Sequence, residues 1–468
     1  MFNTIKKTSS LLLLTFCLAY ISACSEDGKP SVDSIQQQAS NKIMQQPVQK
    51  TNSIVNDNLV VWAVNVGGDA YLGADGIAYQ ADTLSMPAKI GNIQIIKGAQ
   101  DSTIYYTYRE GDILLSHRID NGMYDIVFKF AEPEDIASGN RIFNVFAQGK
   151  NVIDTLDVRQ ARDGKHQSAL DRAVSNVEVI DGTLNIHFEA IKGSPILSAI
   201  VVSKKHVADD NWQLVWNDEF TQDGPPDTTK WNYDLWPAKK VNDEDQTYTS
   251  RAKNVRVENG KLILEAHKEQ YNGAEYTSAR LNARGKGDFL YGRAEISAKI
   301  PAGRGTWAAI WMLPSDPFKY STSCTENDDW QGSSTCDAWP NSGEIDIMEH
   351  VGFDMQNVHG TVHNKAYYWA NWQQRKSSIE AQTADQQFHR YAMEWTPETI
   401  TIFFDNTPYF FYSNEGAGWE AWPFDHPYHL ILNLAIGGMW GRAGGPIDDS
   451  IFPVKMEVDY VRIYQQNN

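Results

Sequence analysis

The sequence has little of what several common classes of protein require. Only four of its 468 residues are cysteines, and two of these, Cys17 and Cys24, lie near the N-terminus, so neither a disulfide-dense scaffold nor a cysteine-rich metal centre is expected. No apolar run reaches the roughly 18 residues that predict a membrane-spanning helix. Positive charge is also scarce: the formal net charge is −18, which argues against nucleic acids and anionic membrane surfaces as partners.

The N-terminus is typical of an export signal. Two lysines precede a short apolar run, which ends in Ile21-Ser22-Ala23-Cys24. This ending resembles the cleavage site of bacterial lipoproteins, and the resemblance implies removal of residues 1–23 and attachment of lipid to Cys24. Ser25 fits the sorting pattern of outer-membrane lipoproteins. We therefore expect an exported lipoprotein of the outer membrane, facing the periplasm or the cell surface, with a plain signal peptide or an uncleaved anchor as the alternatives.

The segment that follows, residues 24–58, is rich in Gln, Asn and Ser and contains no aromatic residue. Such a composition cannot bury enough apolar surface to fold, so we expect a flexible tether. The membrane is then a partner of this chain only through the lipid on Cys24.

Residues 59–206 show short alternating runs between turn signals, a pattern that predicts an all-β sandwich. The dipeptides Asn121-Gly122 and Asp181-Gly182 are among the turns. The runs that predict strands are Leu59–Val66, Tyr124–Phe130, Arg141–Phe146, Leu184–Phe188 and Ile196–Val202.

Four motifs of this region together resemble a malectin-like domain: Val64-Asn65-Val66-Gly67-Gly68, Gly76-Ile77-Ala78-Tyr79, Phe130-Ala131-Glu132 and Phe143-Asn144-Val145. The resemblance implies an accessory carbohydrate-binding domain. Malectin carries sugar-contacting aromatic residues after the third motif, whereas this chain continues with Pro133-Glu134-Asp135-Ile136. A purely structural spacer is therefore the alternative. Tyr105, Tyr106 and Tyr108 could supply a sugar platform, although packing in the core or on the surface of a strand is the commoner outcome for such residues.

Tryptophan is nearly absent from the first 206 residues, where Trp62 stands alone, and the other fourteen tryptophans follow. Because an indole face stacks on sugar rings and the indole N–H binds a hydroxyl group, residues 207–468 are the candidate substrate-binding domain. We expect Trp216 and Trp395 to belong to its core. Strand-like runs without a helical period predict a two-sheet β-sandwich: Val255–Val257, Lys261–Ala266, Gly292–Ala298, Ile400–Phe404, Tyr428–Leu434 and Val454–Tyr464.

The candidate catalytic residues lie in the run Gly343-Glu344-Ile345-Asp346-Ile347-Met348-Glu349-His350-Val351-Gly352. In a strand, Glu344 and Asp346 share one face, and one extra residue at Met348, a β-bulge, returns Glu349 to it. Three carboxyl groups so close cannot all ionise freely, so their pKa values must separate. Such a separation suits glycosidic cleavage with retention, in which one carboxylate attacks the sugar and a protonated carboxyl group donates to the leaving oxygen. The alternative is a solvated acidic face on an edge strand.

This run, with Trp339-Pro340-Asn341-Ser342 before it, closely resembles the active-site strand of glycoside hydrolase family 16, in its laminarinase-like branch. The resemblance extends from Trp216-Asn217-Asp218-Glu219-Phe220 to Asp459-Tyr460-Val461-Arg462-Ile463-Tyr464. It implies an all-β fold, a β-jelly-roll sandwich of the concanavalin A-like type. It further implies Glu344 as nucleophile, Glu349 as acid/base and Asp346 hydrogen-bonded between them, with no cofactor for catalysis.

Five further residues are predicted to bind the substrate. Trp307 and Trp311, four residues apart, share a strand face and are expected to form the floor of the cleft, with a core pair as the alternative. Trp339 is expected to line the same subsites. The resemblance implies that Arg280 binds sugar hydroxyl groups, with a surface ion pair as the alternative. It also implies that His363 lies near the acid/base, with a hydrogen-bonded scaffold residue as the alternative.

Two features concern stability. Cys324 and Cys336 lie close together in a polar stretch of an exported protein, so we predict a disulfide, worth roughly 3 kcal/mol by the chain-entropy model. A metal site is the alternative, but clustered His or further Cys residues are lacking. Members of the family often bind calcium, and this resemblance implies a structural calcium ion at Glu219, Gly260 and Asp459, the first two contributing backbone carbonyl groups.

The sequence therefore predicts a monomeric, endo-acting glycoside hydrolase that cleaves the β-1,3 bonds of laminarin-type β-glucan with retention. Among enzymes, the alternative is a relative that cleaves another β-linked polymer, such as a galactan. Outside enzymes, the alternative is a non-catalytic glucan-recognition lipoprotein. Such relatives typically lack the catalytic glutamates, whereas this chain has both.

Overall fold

The computed structural model describes residues 60–204 and 212–466. The predicted signal peptide, the lipid site at Cys24, the tether and the domain boundary at residue 206 lie outside the described residues. Within the described ranges, no helix has the length and apolar character needed to cross a membrane.

The N-terminal domain, residues 60–204, consists almost entirely of β-strands. Its one α-helical turn, α1 (Val158–Ala161), begins after Asp157, whose carboxylate accepts a hydrogen bond from Gln160 N and caps the turn. A 3-10 turn spans Thr103–Tyr105. The strands are β1 (Val60–Asn65), β2 (Tyr71–Leu72), β3 (Ala78–Ala81), β4 (Lys89–Asn92), β5 (Thr107–Glu110), β6 (Leu114–Arg118), β7 (Gly122–Ala131), β8 (Ile142–Ala147), β9 (Lys150–Leu156), β10 (Ala169–Val179), β11 (Thr183–Lys192), β12 (Ile196–Leu197) and β13 (Ala199–Lys204).

The C-terminal domain, residues 212–466, is also built from strands, with two helical turns, α2 (Ala338–Asn341) and α3 (Gly438–Gly441), and 3-10 turns at Trp369–Asn371 and Asp449–Ile451. The strands are β14 (Trp212–Asp218), β15 (Asn232–Tyr233), β16 (Gln246–Tyr248), β17 (Val255–Val257), β18 (Leu262–Tyr271), β19 (Ala274–Ser278), β20 (Arg280–Asn282), β21 (Gly292–Lys299), β22 (Thr306–Pro314), β23 (Glu344–Val351), β24 (Asn357–His363), β25 (Arg375–Glu380), β26 (His389–Trp395), β27 (Thr399–Phe404), β28 (Thr407–Ser413), β29 (Tyr428–Ile436) and β30 (Val454–Gln466).

Two sheets enclose the core of the C-terminal domain. The inner sheet has the order β15-β20-β29-β22-β23-β24-β25, and the outer sheet runs from β16 through β19, β18, β30, β21, β26 and β27 to β28. Trp395 is fully buried between them, as predicted, whereas Trp216 is only partly buried and packs against the core. The predicted all-β sandwich is therefore confirmed for this domain.

The inner sheet continues into the N-terminal domain, because β10 pairs in parallel with β25 and places Arg172 opposite Ser378. Arg172 Nη1 donates to Ser378 Oγ at 2.5 Å and to Asn357 Oδ1 at 2.7 Å. The two domains thus share one 13-stranded sheet. This pairing was not predicted, since β10 was not among the strands expected from the sequence.

Tyr105, Tyr106 and Tyr108 do not form a sugar platform, and packing, the commoner outcome expected for them, applies to two of the three. Tyr105 and Tyr108 are buried, and only Tyr106 is exposed. The hydroxyl group of Tyr105 donates to Asp171, which also forms an ion pair of 2.6 Å with Lys129. These side chains therefore stabilise the domain beside the shared sheet instead of presenting a flat surface to sugar.

Candidate active site

A bulge in β23 brings the three candidate acids to one face. Where β23 pairs with β22, Met348 and Asp346 have consecutive partners and Ile347 has none. Both Ile347 and Met348 are fully buried in the core. The bulge predicted from the sequence is thus present, with the extra residue one position earlier than Met348. Glu344, Asp346 and Glu349 consequently lie on the face opposite the core, which we call the cleft face.

Each outer acid receives a hydrogen bond from an indole N–H. Trp339 Nε1 donates to Glu344 Oε2 at 2.9 Å, and Trp307 Nε1 donates to Glu349 Oε1 at 3.1 Å. These bonds orient the carboxyl groups and stabilise their charged forms. Trp307 and Trp339, predicted to bind substrate, therefore contact the predicted catalytic residues directly.

The pKa values of all three acids are raised above those of ordinary carboxyl groups. Burial and the neighbouring charge of Glu349 raise the pKa of Glu344 to about 8. Burial and the charges of both glutamates raise the pKa of Asp346 well above its usual value. Burial also raises the pKa of Glu349, against the opposing charge of Lys376 and the Trp307 N–H. The cluster is therefore partly protonated at neutral pH.

Asp346 is the acid best placed to keep its proton. Its buried Oδ2 has no hydrogen-bond partner as a carboxylate, whereas a protonated Asp346 can donate to Glu344. That hydrogen bond lowers the pKa of Glu344, and protonation of Glu349 removes the repulsion that raises it. When Asp346 and Glu349 are protonated, Glu344 is thus favoured as the ionised acid. Its carboxylate then accepts hydrogen bonds from Trp339 and Asp346, whereas that of Glu349 accepts one from Trp307 only.

His363 lies beside Glu344, the predicted nucleophile, and is not directly opposite Glu349, the predicted acid/base. The register of β23 with β24 sets Glu344 opposite His363 and Glu349 opposite His359. His363 Nε2 is 3.8 Å from Glu344 Oε1 and 3.5 Å from Asp346 Oδ2. Burial lowers the pKa of His363 to about 3, so the ring is neutral at neutral pH.

Glu344, Asp346 and His363 are the one group of side chains within the described ranges whose geometry suits a metal ion. Their ligand atoms lie within 4.8 Å of one another. A protonated Asp346 that donates to Glu344 accounts for this closeness by hydrogen bonding alone.

Arg280 and Trp311 form the neighbouring part of the cleft face. The Arg280 guanidinium lies 4.1 Å from the ring centroid of Trp236 and 4.7 Å from that of Trp311, and it forms an ion pair of 2.8 Å with Asp234. Trp311 Nε1 donates to Asn433 Oδ1 at 2.7 Å. Arg280 is buried, so the surface ion pair offered as the alternative is wrong.

Sequence reasoning missed four residues of this site: Trp236, Asp234, Trp440 and Lys376. The Trp440 ring packs edge-on against Trp307 at 5.7 Å, and the Lys376 ammonium lies 4.1 Å from the Trp440 ring centroid. The concentration of tryptophan in this domain could have indicated Trp236 and Trp440. No sequence signal separates Asp234 or Lys376 from ordinary surface charges.

The predicted disulfide between Cys324 and Cys336 is confirmed and closes a loop directly before α2 and β23.

The predicted calcium ligands lie around one junction in the outer sheet, where β30 passes from pairing with β18 to pairing with β14. Arg462 holds the carboxylate of Glu219 through two hydrogen bonds of 2.8 Å. The exposed carboxylate of Asp459 would then be the charged ligand, beside the backbone carbonyl groups expected of Glu219 and Gly260. The donor set fits calcium, and the ion stays a prediction.

Comparison with known proteins supports the division into two domains. Residues 242–462 match the family described as glycosyl hydrolases family 16, and residues 60–204 match the malectin domain. A beta-glucanase of Rhodothermus marinus is 50% identical over 261 residues, which cover 54% of this chain and 86% of the relative. The solved structure of the laminarinase from Rhodothermus marinus gives a TM-score of 0.50 at 49% identity, covering 55% of this chain and 98% of that one. A keratan-sulfate endo-1,4-beta-galactosidase of Sphingobacterium multivorum is 34% identical over 263 residues, which cover 55% of this chain and 56% of the relative.

Proposed function

The chain belongs to glycosyl hydrolases family 16 and is a glycoside hydrolase, and from this premise we propose that it cleaves β-1,3 bonds within laminarin-type glucans, with retention of configuration. The observation that carries the proposal is the bulged strand, which brings Glu344, Asp346 and Glu349 to one buried face. The substrate is suggested by the relatives named beta-glucanase and laminarinase.

In the first step, the ionised Glu344 attacks the anomeric carbon while Glu349 gives its proton to the leaving glycosidic oxygen. The Trp339 N–H and the proton of Asp346 hold the Glu344 carboxylate in place for the attack. The products are a glycosyl ester on Glu344 and a released sugar chain.

In the second step, Glu349, now ionised, takes a proton from a water molecule, which attacks the same carbon and releases Glu344. The Trp307 N–H and the charge of Lys376 stabilise the ionised Glu349 that this step requires. Two inversions give net retention of configuration. Each acid also returns to its starting protonation state, because Glu349 regains from water the proton that it gave to the leaving oxygen.

The decisive experiment compares the wild type with Glu344→Gln on laminarin, lichenan and agarose. We expect reducing-end release from laminarin by the wild type, a loss of at least about a thousandfold in the variant, and β-configured initial products by NMR. Release from agarose alone would favour the galactan alternative, which the galactosidase relative also suggests. Wild-type rates in Glu344→Gln would contradict the assignment of the nucleophile.

We further propose that the enzyme is anchored by lipid on Cys24 in the outer membrane, because the sequence around this cysteine resembles a lipoprotein cleavage site. Metabolic labelling with a fatty acid tests the anchor. Label is expected in the wild type and not in Cys24→Ala, and equal labelling of both would contradict the anchor.

A further inference from the structure

The cleft face extends from the catalytic strand to the N-terminal domain. The register across the inner sheet places Thr361 and then Lys376 beside Asp346. The next strand is β10 of the N-terminal domain, whose Arg172 binds Ser378. Because neighbouring strands lie about 4.8 Å apart, β25 is about 10 Å from β23, and the N-terminal domain begins with the strand beyond it.

Buried polar groups on this stretch lack hydrogen-bond partners among the described residues. Both ring nitrogens of His359 and Oγ1 of Thr361 are in this state, although His359 is 3% exposed and Thr361 0%. Asp354 Oδ2 lies 3.4 Å from His359 Nε2. The ammonium group of Lys376, a residue 9% exposed, contacts the Trp440 ring. Buried groups without partners cost free energy, which a ligand with hydroxyl groups would recover.

The N-terminal domain borders the same stretch. Arg162 Nη2 donates to the carbonyl group of Gln374 at 3.3 Å, directly before β25. The next residue, Asp163, has 46% of its side chain accessible to solvent and lies 3.8 Å from Lys165. Burial raises the pKa of Asp163, but the charges of Lys376, Lys165 and Arg162 outweigh it and keep this pKa below its usual value. Asp163 is thus an ionised group that is both accessible and close to the cleft face.

Resting on the proposed function, we propose that the two domains share a sugar subsite at this end of the cleft. In it, His359 and Lys376 of the C-terminal domain and Asp163 of the N-terminal domain bind hydroxyl groups of one residue of the glucan chain. The ligand is a neutral sugar, because the positive charge of Lys376 is balanced by Asp163 and burial lowers the pKa of His359 to about 3, which leaves its ring neutral. A neutral imidazole both donates and accepts, as a hydroxyl group does.

Calorimetric titration of the Glu344→Gln protein with β-1,3-linked gluco-oligosaccharides of increasing length tests this subsite. We expect added Asp163→Ala or Lys376→Met to weaken binding of long oligosaccharides about tenfold, with a loss that is smallest for the disaccharide, since only longer chains reach the subsite. Asp135→Ala removes an exposed carboxylate of the same domain, 2.6 Å from Arg159, and is expected to change nothing.

The products of an end-labelled hexasaccharide provide the second measurement, in otherwise wild-type protein. Asp163→Ala and Lys376→Met should shift the position of cleavage, because the binding mode in which a sugar residue occupies the shared subsite loses a contact. Folding is checked by circular dichroism. Length-independent affinity losses, or unchanged affinities and products in both variants, would overturn the shared subsite. A wild type that hydrolyses no glucan would overturn the proposed function, while the titrations would still decide the subsite.

Discussion

At the scale of single residues, burying Glu344 beside two other acids makes ionisation of its carboxyl group costly. The pKa values of Glu344, Asp346 and Glu349 are all raised, that of Glu344 to about 8, so the folded cluster binds protons at pH values where an unfolded chain, whose glutamates titrate near 4.5, has released them. The folded state therefore binds more protons across this window, and its stability falls as the pH rises through it. The burial that shifts the pKa values of these acids thus lowers the stability of the folded protein as they ionise.

Glu344→Gln is accordingly expected to raise the melting temperature by a few degrees at pH 8 and to leave it unchanged near pH 4, because the amide cannot ionise. Differential scanning fluorimetry across this range checks the prediction. The control is Glu275→Gln at an exposed position. A stabilisation of the same size at pH 4 would show that ionisation is not the cause.

Trp339→Phe removes the N–H that donates to Glu344. The loss disfavours the ionised nucleophile and raises its pKa, so the acidic limb of the kcat/KM profile should move up by about half to one pH unit. The matched control is Trp419→Phe, at a tryptophan that stacks on Tyr320. An acidic limb that stays in place would contradict the role of this hydrogen bond.

Trp307→Phe should act on the other limb. Without the donor to its carboxylate, Glu349 holds its proton to higher pH, so the alkaline limb should move up while the acidic limb stays in place. The same pH profiles of kcat/KM measure the effect. If Trp307→Phe moved the acidic limb instead, the assignments of acid/base and nucleophile would have to be exchanged.

The sequence was sufficient to predict the three acids and the tryptophans beside them, because spacing along one strand decides which side chains share a face. It was not sufficient for His363 or Lys376. Which acid a histidine faces depends on the register between β23 and β24, and Lys376 is buried only because other elements pack around it.

At the scale of elements, the loop before β23 is held by a disulfide and by Asp337. The Asp337 carboxylate accepts hydrogen bonds from Thr322 N and Ser323 N, each of 2.9 Å. Since these bonds do not involve the sulfur atoms, we expect the loop to keep its conformation in the folded state when the disulfide is absent. The crosslink then acts mainly by restricting the unfolded chain.

Replacing Cys324 and Cys336 together by serine is expected to lower the free energy of unfolding by about 3 kcal/mol while activity on laminarin is retained. Urea denaturation of the variant, beside oxidised and reduced wild type, measures the change. Equal stability of all three proteins would mean that the crosslink restricts little.

Most strands of the two sandwiches could be predicted from alternation, and β10 shows why others could not. Its alternation is broken by a register shift between Val174 and Val177 and by Asn176 at a φ of 58°. The polar side chain of Arg172 is buried there because a second domain covers it. A single stretch of sequence does not reveal a partner strand some 200 residues away.

At the scale of the whole molecule, the shared sheet should make the two domains unfold together. We expect one calorimetric transition for the wild type, because separating the domains exposes the edges of β10 and β25. Two well-separated transitions would show that the sheet does not couple them.

Arg172→Met should weaken this coupling by roughly 2–4 kcal/mol, since it leaves the partners of a buried arginine unsatisfied. The control is Arg118→Met, at an exposed position of the same domain. Equal melting temperatures for the two variants would contradict the importance of the contact.

The parallel pairing of β10 with β25 also has a consequence for engineering and for evolution. Carbohydrate-binding modules are commonly exchanged between enzymes as independent domains joined only by linkers. Here an exchanged module would have to supply a strand that pairs with β25 in the same direction and register. Otherwise it would leave β25 as an unpaired edge strand of the catalytic domain. Recombination among such proteins should therefore preserve the two halves as an inseparable pair.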